Sequence, residues 1–527
     1  MTRFFEFLDR LAGFGDEAGA ERWLDRLAFV FLTLMVVSSP HSIAASQTSW
    51  ILALIFTTLR FFIGPRRKFK FRPLDIAIWA FFVWSVVSAS VSYSPALSFD
   101  SLRNVALFLA YFVTVANVRT LRAAQFLAFA LFFSCMVNVV KTPLERIVGR
   151  GVEIHGVDPV GPIGRSAMTD GDTILKIDGR QARSLAPIVD ALETNGKVQL
   201  SIHRPDAYMT RDLTAEILRP GSTPEERLGV GSWGPSHYWR ALGFFNHWTT
   251  YSEALQLIGS LVFGLLMASQ FYRRRQDGNA FAGVIGAFVS IVSSSVFLAI
   301  CLAGISLALL LTVTRASQLS LLISGFVIVA LSAGRRVVIA TVLLAIPIGL
   351  AGLYMMQQSR QVGFVDASDD STQYRLTMWR DGERLLTTSP RNFIFGVGMD
   401  SVKEHWREWN MFDGGRMAVS HFHSTPVQIA VERGVPALLI WIAMLGLYGV
   451  MLWRGLRSAR ETGDWRSIGI ILGCIGGTVG FINSGFVHNN IGDSEVALIF
   501  YLMMGLGVRT AELCGGHTRI STGPEAI

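Results

Sequence analysis

His421-Phe-His423-Ser424-Thr-Pro-Val-Gln-Ile-Ala-Val-Glu432-Arg433-Gly434 closes a polar loop and leads into an apolar run near 430–453. That run is long enough to cross a hydrocarbon core of about 30 Å, so the two histidines stand where membrane meets water. Imidazole is the side chain best suited to exchange protons near neutral pH. The loop before it is rich in Arg and Trp. The combination points to chemistry at a membrane surface on an anionic, lipid-borne substrate.

Comparable apolar runs recur outward from this stretch along nearly the whole 527-residue chain. The chain is 51% hydrophobic and 16% charged, against about 25% charged for a soluble domain. These features predict an all-α polytopic membrane protein with about twelve transmembrane helices. The runs lie near 27–45, 47–64, 74–91, 101–118, 123–141, 250–271, 280–313, 317–333, 337–356, 430–453, 467–486 and 493–509. Met1 to Arg26 is mixed and charged and has no small-residue cleavage site, so no removable signal peptide is expected.

The net charge of +8 raises nucleic acid as a partner, but its distribution argues for a bilayer instead. Basic residues gather in short loops beside the spans: Arg66 to Arg72, Arg119 and Arg122, Arg273 to Arg275, Arg335 and Arg336, and Arg454, Arg457 and Arg460. Such clusters mark cytoplasmic loops, and all fall on one side with both chain ends. The four cysteines, Cys135, Cys301, Cys474 and Cys514, are scattered and imply neither a disulfide framework nor a metal site.

Residues 143–220 interrupt the apolar pattern. Gly171-Asp172-Thr-Ile174-Leu-Lys-Ile177 alternates and ends in an Asp178-Gly179 turn, a strand signature, while Leu185 to Leu192 has helical spacing. With Val157-Asp-Pro-Val-Gly-Pro and Asp170-Gly-Asp172, this small α+β insert resembles a bacterial PDZ domain. The resemblance implies a protein or peptide ligand added as a strand beside an exposed edge; a spacer with no ligand is the alternative.

Three stretches face the side opposite the basic loops. Arg315, in Thr314-Arg315-Ala316, stands between two apolar runs, where a guanidinium is costly and is paired, functional or snorkelled to headgroups. Arg375 precedes Trp379 by one helical turn. Its guanidinium fork suits phosphate oxygens. Arg380, Arg384 and Arg391 read instead as a solvated loop. As neutral imidazole, His423 can accept a proton from a hydroxyl. His421 and His423 lack further ligands at metal spacing, so no metal is expected.

Together these elements resemble the superfamily of O-antigen ligases and polymerases, GT-C type membrane glycosyltransferases, over residues 236–510. The matching residues run in order: Arg240-Ala-Leu-Gly243-Phe-Phe-Asn246-His247; Thr314-Arg315-Ala316; Arg375-Leu-Thr-Met-Trp379; Pro390 with Gly396-Val-Gly398; His421-Phe-His423-Ser424; and Glu432-Arg-Gly434. Ser424 departs from the usual Asn, Thr314 and Ala316 depart from the usual flanks, and the insert is not a standard family part. The resemblance implies transfer of a glycan from an undecaprenyl-pyrophosphate carrier to an acceptor hydroxyl in the periplasm, without metal or other cofactor. The acceptor would be lipid A-core for a ligase or another glycan for an O-antigen or exopolysaccharide polymerase. It further implies His423, Arg315 and Arg375 as catalytic residues, and Arg240, His421, Trp379 and Glu432 as substrate contacts. Trp379, Trp406 and Trp409 can stack on sugars or anchor the loop at the interface.

The expected organisation is then N-terminal spans over 1–142, the insert over 143–220, and a ligase/polymerase-like region over 236–510 with a periplasmic loop at 357–423. A cytoplasmic tail over 511–527 completes a bacterial inner-membrane protein whose active site and insert face the periplasm. Two other classes compete with this reading. An intramembrane protease would use Ser484 and His488, and a transporter would show internal repeats, which are not evident.

Overall fold

A computed structural model describes residues 2–14, 19–63, 71–204, 207–237, 239–272, 294–343, 370–417 and 421–521. The cluster Arg273–Arg275, most of Arg66–Arg72, the first part of the 280–313 run, the end of the 337–356 run and residues 357–369 of the loop lie outside the described residues.

The chain forms two compact units: residues 1–138, 244–310 and 314–527, and residues 139–243 with 311–313. The first unit is helical. Its N-terminal part comprises α1 (Thr2–Ala12), α2 (Ala20–Ser38), α3 (Ile43–Phe62), α4 (Pro73–Ser90), α5 (Pro95–Val105), α6 (Leu109–Asn117) and α7 (Leu121–Val148), which ends in the other unit. Among the described residues, eight helical stretches are long and apolar enough to cross a membrane, against about twelve expected. Neither α2 nor α3 is among them. Glu21, Arg22, Asp25 and Arg26 occupy the first turns of α2, and Ser46, Gln47, Thr48 and Ser49 those of α3.

The second unit carries the insert. Helices α8 (Pro162–Arg165), α9 (Ala186–Asn195) and α10 (Pro224–Leu228) accompany strands β1 (Arg150–His155), β2 (Thr173–Ile177), β3 (Arg180–Gln181), β4 (Lys197–Arg204), β5 (Ala207–Thr214) and β6 (Ser232–Ser236). The antiparallel order is β5-β4-β2-β1-β6, with β3 paired to β2. Asp178 and Gly179 both take positive φ (46° and 78°), the geometry a tight β-hairpin needs. Alternating residues Val152, Ile154, Ile174, Leu200 and Ile202 meet Ile188 and Leu192 of α9 in one core. The sheet runs past the expected boundary at 220. Ser232–Ser236, rich in Gly and Pro and without alternation, joins β1 as an edge strand.

The rest of the first unit follows as α11 (Trp248–Phe271), α12 (Ser295–Leu311), α13 (Arg315–Ser332), α14 (Asp370–Thr387), α15 (Pro390–Phe395), α16 (Ser401–His405), α17 (Phe412–Gly415), α18 (Thr425–Thr462), α19 (Trp465–Gly485) and α20 (Ser494–Ser521). Helix α20 continues through most of the expected tail, and Cys514 is fully buried. Helices α11 and α19 pack almost backbone to backbone. A Cβ on Gly264 would lie 2.3 Å from Gly473 N, so only glycine permits the approach.

Loops assigned to the same side meet at the same helix ends. At one end, Asp25 pairs with Arg60 (3.2 Å) and Arg119 (2.6 Å), Arg72 with Glu512 (2.5 Å), and Gln125 donates to Asp464 (2.6 Å). At the other, the Tyr93 amide donates to Val397 O (3.1 Å) and Ser98 Oγ to Met399 O (2.9 Å). This second end carries the histidine segment.

Candidate functional site

Helix α14 has one buried face, with Tyr374, Met378, Gly382 and Leu385 spaced by three or four residues. That face joins Val397, Val402, Met411, Phe412, Phe422 and Val431 in a small apolar core. Phe422 is 1% exposed and anchors the segment between its two histidines. Its amide donates to Gln428 Oε1 (2.8 Å), and its carbonyl accepts from Trp379 Nε1 (3.0 Å). Trp379 is thus tied to the histidine segment itself. Trp406 and Trp409 pack on the same core, and Trp409 also stacks on His405 (5.1 Å).

His423 takes φ 47°. The left-handed region is uncommon for a side-chain-bearing residue and costs of order 1–3 kcal/mol, so it persists only where neighbours impose it. Here Phe422 is pinned on one side. On the other, the Thr425 amide donates to His488 O (3.0 Å). The His423 ring lies 4.2 Å from that of His421 and 5.7 Å from Tyr374, edge-on. Burial, then His421 and Arg375, push His423 down to about 3, and His488 and His247 act the same way. Burial likewise pushes His421 down to about 4, helped by Lys403, His488 and His247 against Asp400. Both imidazoles are therefore neutral at pH 7, and each can accept a proton.

The sequence places Arg315, Arg375 and His423 on one side; in the structure His423 lies against His421 and feels the charge of Arg375. Arg315 opens α13 two residues before Ser317, and among the described residues no carboxylate pairs with it. Arg240 belongs to the other compact unit, half-buried between β6 and Gly243. Glu432 is buried, and its carboxylate accepts from the Asp400 amide (2.9 Å). Two backbone bonds, Val397 N to Val431 O and Gly398 N to Glu432 O (both 2.9 Å), fix the Gly396-Val-Gly398 element there. Helix α18 breaks just beyond, at Gly434 (φ 80°, ψ 167°), where a Cβ would lie 2.0 Å from Ile394 O. Arg384 is exposed, as expected of a solvated loop, while Arg391 is half-buried, and both also hold the loop. Arg384 donates to the carbonyls of Trp409 and Asn410 (3.0 Å each), and Arg391 lies over the Tyr93 ring (4.0 Å).

A buried carboxylate network behind the histidines was not foreseen. Glu253 of α11, 1% exposed, contacts His488 Nδ1 (2.7 Å) through Oε1 and accepts from Ser484 Oγ (2.6 Å) on Oε2. Ser317 Oγ also donates to Oε1 (3.2 Å). Thr425 Oγ1 donates to Asn490 Oδ1 (2.8 Å) and so ties the network to the start of α18. Ser484 and His488 each bond Glu253, so this serine is not paired with the histidine as a protease nucleophile would be. The available signal was Glu253 itself, an ionisable residue in an apolar run, which is by default a functional candidate. Among the described residues, no group of three or more His, Cys, Asp or Glu could hold a metal ion.

Residues 297–442 match the family model described as O-antigen ligase. The matched stretch contains Arg315, Arg375, Trp379, both loop histidines and Glu432, whereas Glu253 and His488 lie outside it. A comparison with curated proteins finds no match. The family match supports an O-antigen ligase/polymerase-type membrane glycosyltransferase acting on lipid-linked glycan.

Proposed function

We propose that this protein moves a glycan from an undecaprenyl-pyrophosphate carrier to an acceptor hydroxyl on the periplasmic face of a bacterial inner membrane, as an O-antigen ligase does onto lipid A-core. The observation that carries this reading is His423, held neutral in a strained backbone conformation within electrostatic reach of Arg375. The acceptor oxygen attacks the anomeric carbon of the donor. The bond from that carbon to the phosphate oxygen breaks, and its electron pair leaves with the pyrophosphate. His423 takes the acceptor proton, a role worth about 10²–10⁴-fold for a positioned base. Arg375 and Arg315 stabilise the charge growing on the leaving group, where fixed donors act most strongly in a water-poor site. His421 and Arg240 contact the carrier or glycan. Trp379 and Glu432 act one step back, through the loop that they hold.

A polymerase of the same superfamily shares the donor chemistry and differs only in its acceptor, which makes it the second reading. The insert is read as a PDZ-like module that takes a protein or peptide ligand along an edge of its sheet. The test is the surface-glycan profile of a deletion strain complemented with wild type or with His423→Ala. Long chains lost from lipid A-core and accumulating on the carrier support the ligase. Single repeats still attached to lipid A-core support the polymerase. An unchanged profile overturns both.

A further inference from the structure

Glu495, which no part of the proposed reaction uses, lines an open cavity of the first unit, two residues after Asp493. The cavity holds about 180 Å³, and its lining includes His41, Ser42, Phe244, Phe245, Asn246 and Glu495. That is space for several waters or one small ring, since a single water needs only about 10–15 Å³ of such volume. Its walls are fixed by the protein's own bonds. Asn138 Oδ1 accepts from the Phe244 amide (2.8 Å), His41 Nε2 contacts Ser134 Oγ (2.7 Å), and the His41 ring stands edge-on to Phe244 at 5.4 Å. Asp493 accepts from Thr250 Oγ1 (2.5 Å), and its Oδ1 accepts from the Glu495 amide (3.2 Å), so the Asp493 carboxylate is fixed at the start of α20.

The chemistry of this lining selects its ligand. A carboxylate inside a cavity repels phosphate and pyrophosphate, so the anionic part of a substrate belongs with Arg375 and the histidines. Glu495, Asn246 and Ser42 offer acceptors and donors to neutral hydroxyl groups. Phe244, 46% exposed, offers an apolar face that water does not satisfy. A few convergent polar groups beside aromatic walls is how small-molecule sites fix orientation. Asn246 of the cavity wall is followed directly by His247, whose charge acts on both His421 and His423.

We propose that this cavity is a sugar subsite that receives one neutral, hydroxyl-bearing ring of the glycan substrate, with Glu495 accepting from its hydroxyls and Phe244 against its apolar face. The proposal rests on the transferase reading for its biological ligand, but not for its binding chemistry.

The test has two arms. Saturation-transfer NMR is run on protein in lipid nanodiscs, free of sugar detergents, with the methyl glycosides of glucose, galactose, mannose and N-acetylglucosamine. Transfer to at least one glycoside is expected in wild type, weakened about tenfold by Glu495→Gln, because a charge-assisted hydrogen bond becomes a neutral one. Phe244→Ala is expected to weaken it similarly, and inorganic pyrophosphate should not displace the glycoside. No signal in wild type, equal signals in wild type and both variants, or displacement by pyrophosphate overturns the subsite. The kinetic arm measures transfer with purified protein. A rise in KM for the acceptor alone assigns the ring to the acceptor, a rise for the donor alone assigns it to the donor, and unchanged KM values for both overturn the proposal. If wild type transfers no glycan, the transferase reading falls while the NMR arm still decides the subsite.

Discussion

Replacing Trp379 with Phe removes one hydrogen-bond donor and little else. The indole N–H donates to Phe422 O at 3.0 Å, in a stretch where Phe422 is fully buried and His423 follows at φ 47°. Phenylalanine keeps most of the packing on Met378 and Phe422 but leaves that carbonyl without its side-chain donor. A buried group left unsatisfied costs about 1–3 kcal/mol. The left-handed conformation at His423 stores a comparable amount. The Gln428 and His488 contacts remain, so the segment stays folded, yet the geometry that aims His423 loses part of its support. A loss near 1.4 kcal/mol corresponds to a tenfold drop in kcat. The assay is transfer from a pyrophosphate-linked glycan by purified protein, with kcat and KM measured separately. Trp379→Phe is expected to lower kcat about tenfold with the donor KM within a factor of about two, since an interaction felt only in the transition state moves kcat. A wild-type kcat, or a raised KM at unchanged kcat, would refute the pinning and return Trp379 to direct sugar contact.

Other outcomes follow from the same geometry. His423 and His421 are depressed to about 3 and 4 from an ordinary value near 6.5. The unfolded chain therefore binds protons first, and their contribution to stability, present above pH 6.5, is lost as pH falls toward 3; thermal unfolding across that window reads it. For the same reason the acid limb of kcat/KM due to His423 should lie below pH 5, and a limb near 6.5 would contradict the neutral, half-buried base. Glu253→Ala leaves His488, Ser484 and Ser317 without their shared carboxylate. Breaking a buried pair by removing one partner costs about 3–5 kcal/mol, so the solubilised protein should unfold at a clearly lower temperature. Gly434→Ala places a Cβ 2.0 Å from Ile394 O at φ 80°, and folded protein should be lost from the membrane fraction.

The helical class was legible because a span must be long and apolar, a property of consecutive residues. The same holds for the Asp178-Gly179 hairpin, whose turn chemistry is local. Arg375 and Trp379 shared a helix face by spacing alone, and the two loop histidines were adjacent in sequence. What escaped depends on partners far apart in the chain. Glu253 finds His488 across more than two hundred residues, and no periodicity predicts that bond. Glu432 accepts from the Asp400 amide, a bond between segments distant in sequence that no local pattern announces. Strand β6 has neither alternation nor β-branched residues, and only pairing with β1 makes it a strand.

The central claim is that His423 accepts the acceptor proton. It is tested most directly by assaying purified wild type and His423→Ala, matched for thermal unfolding, for transfer of glycan from a polyprenyl-pyrophosphate donor. Loss of the transfer rate by at least about 10²-fold, with donor binding retained, is the expected result for a positioned general base. Transfer at the wild-type rate would remove His423 from the reaction.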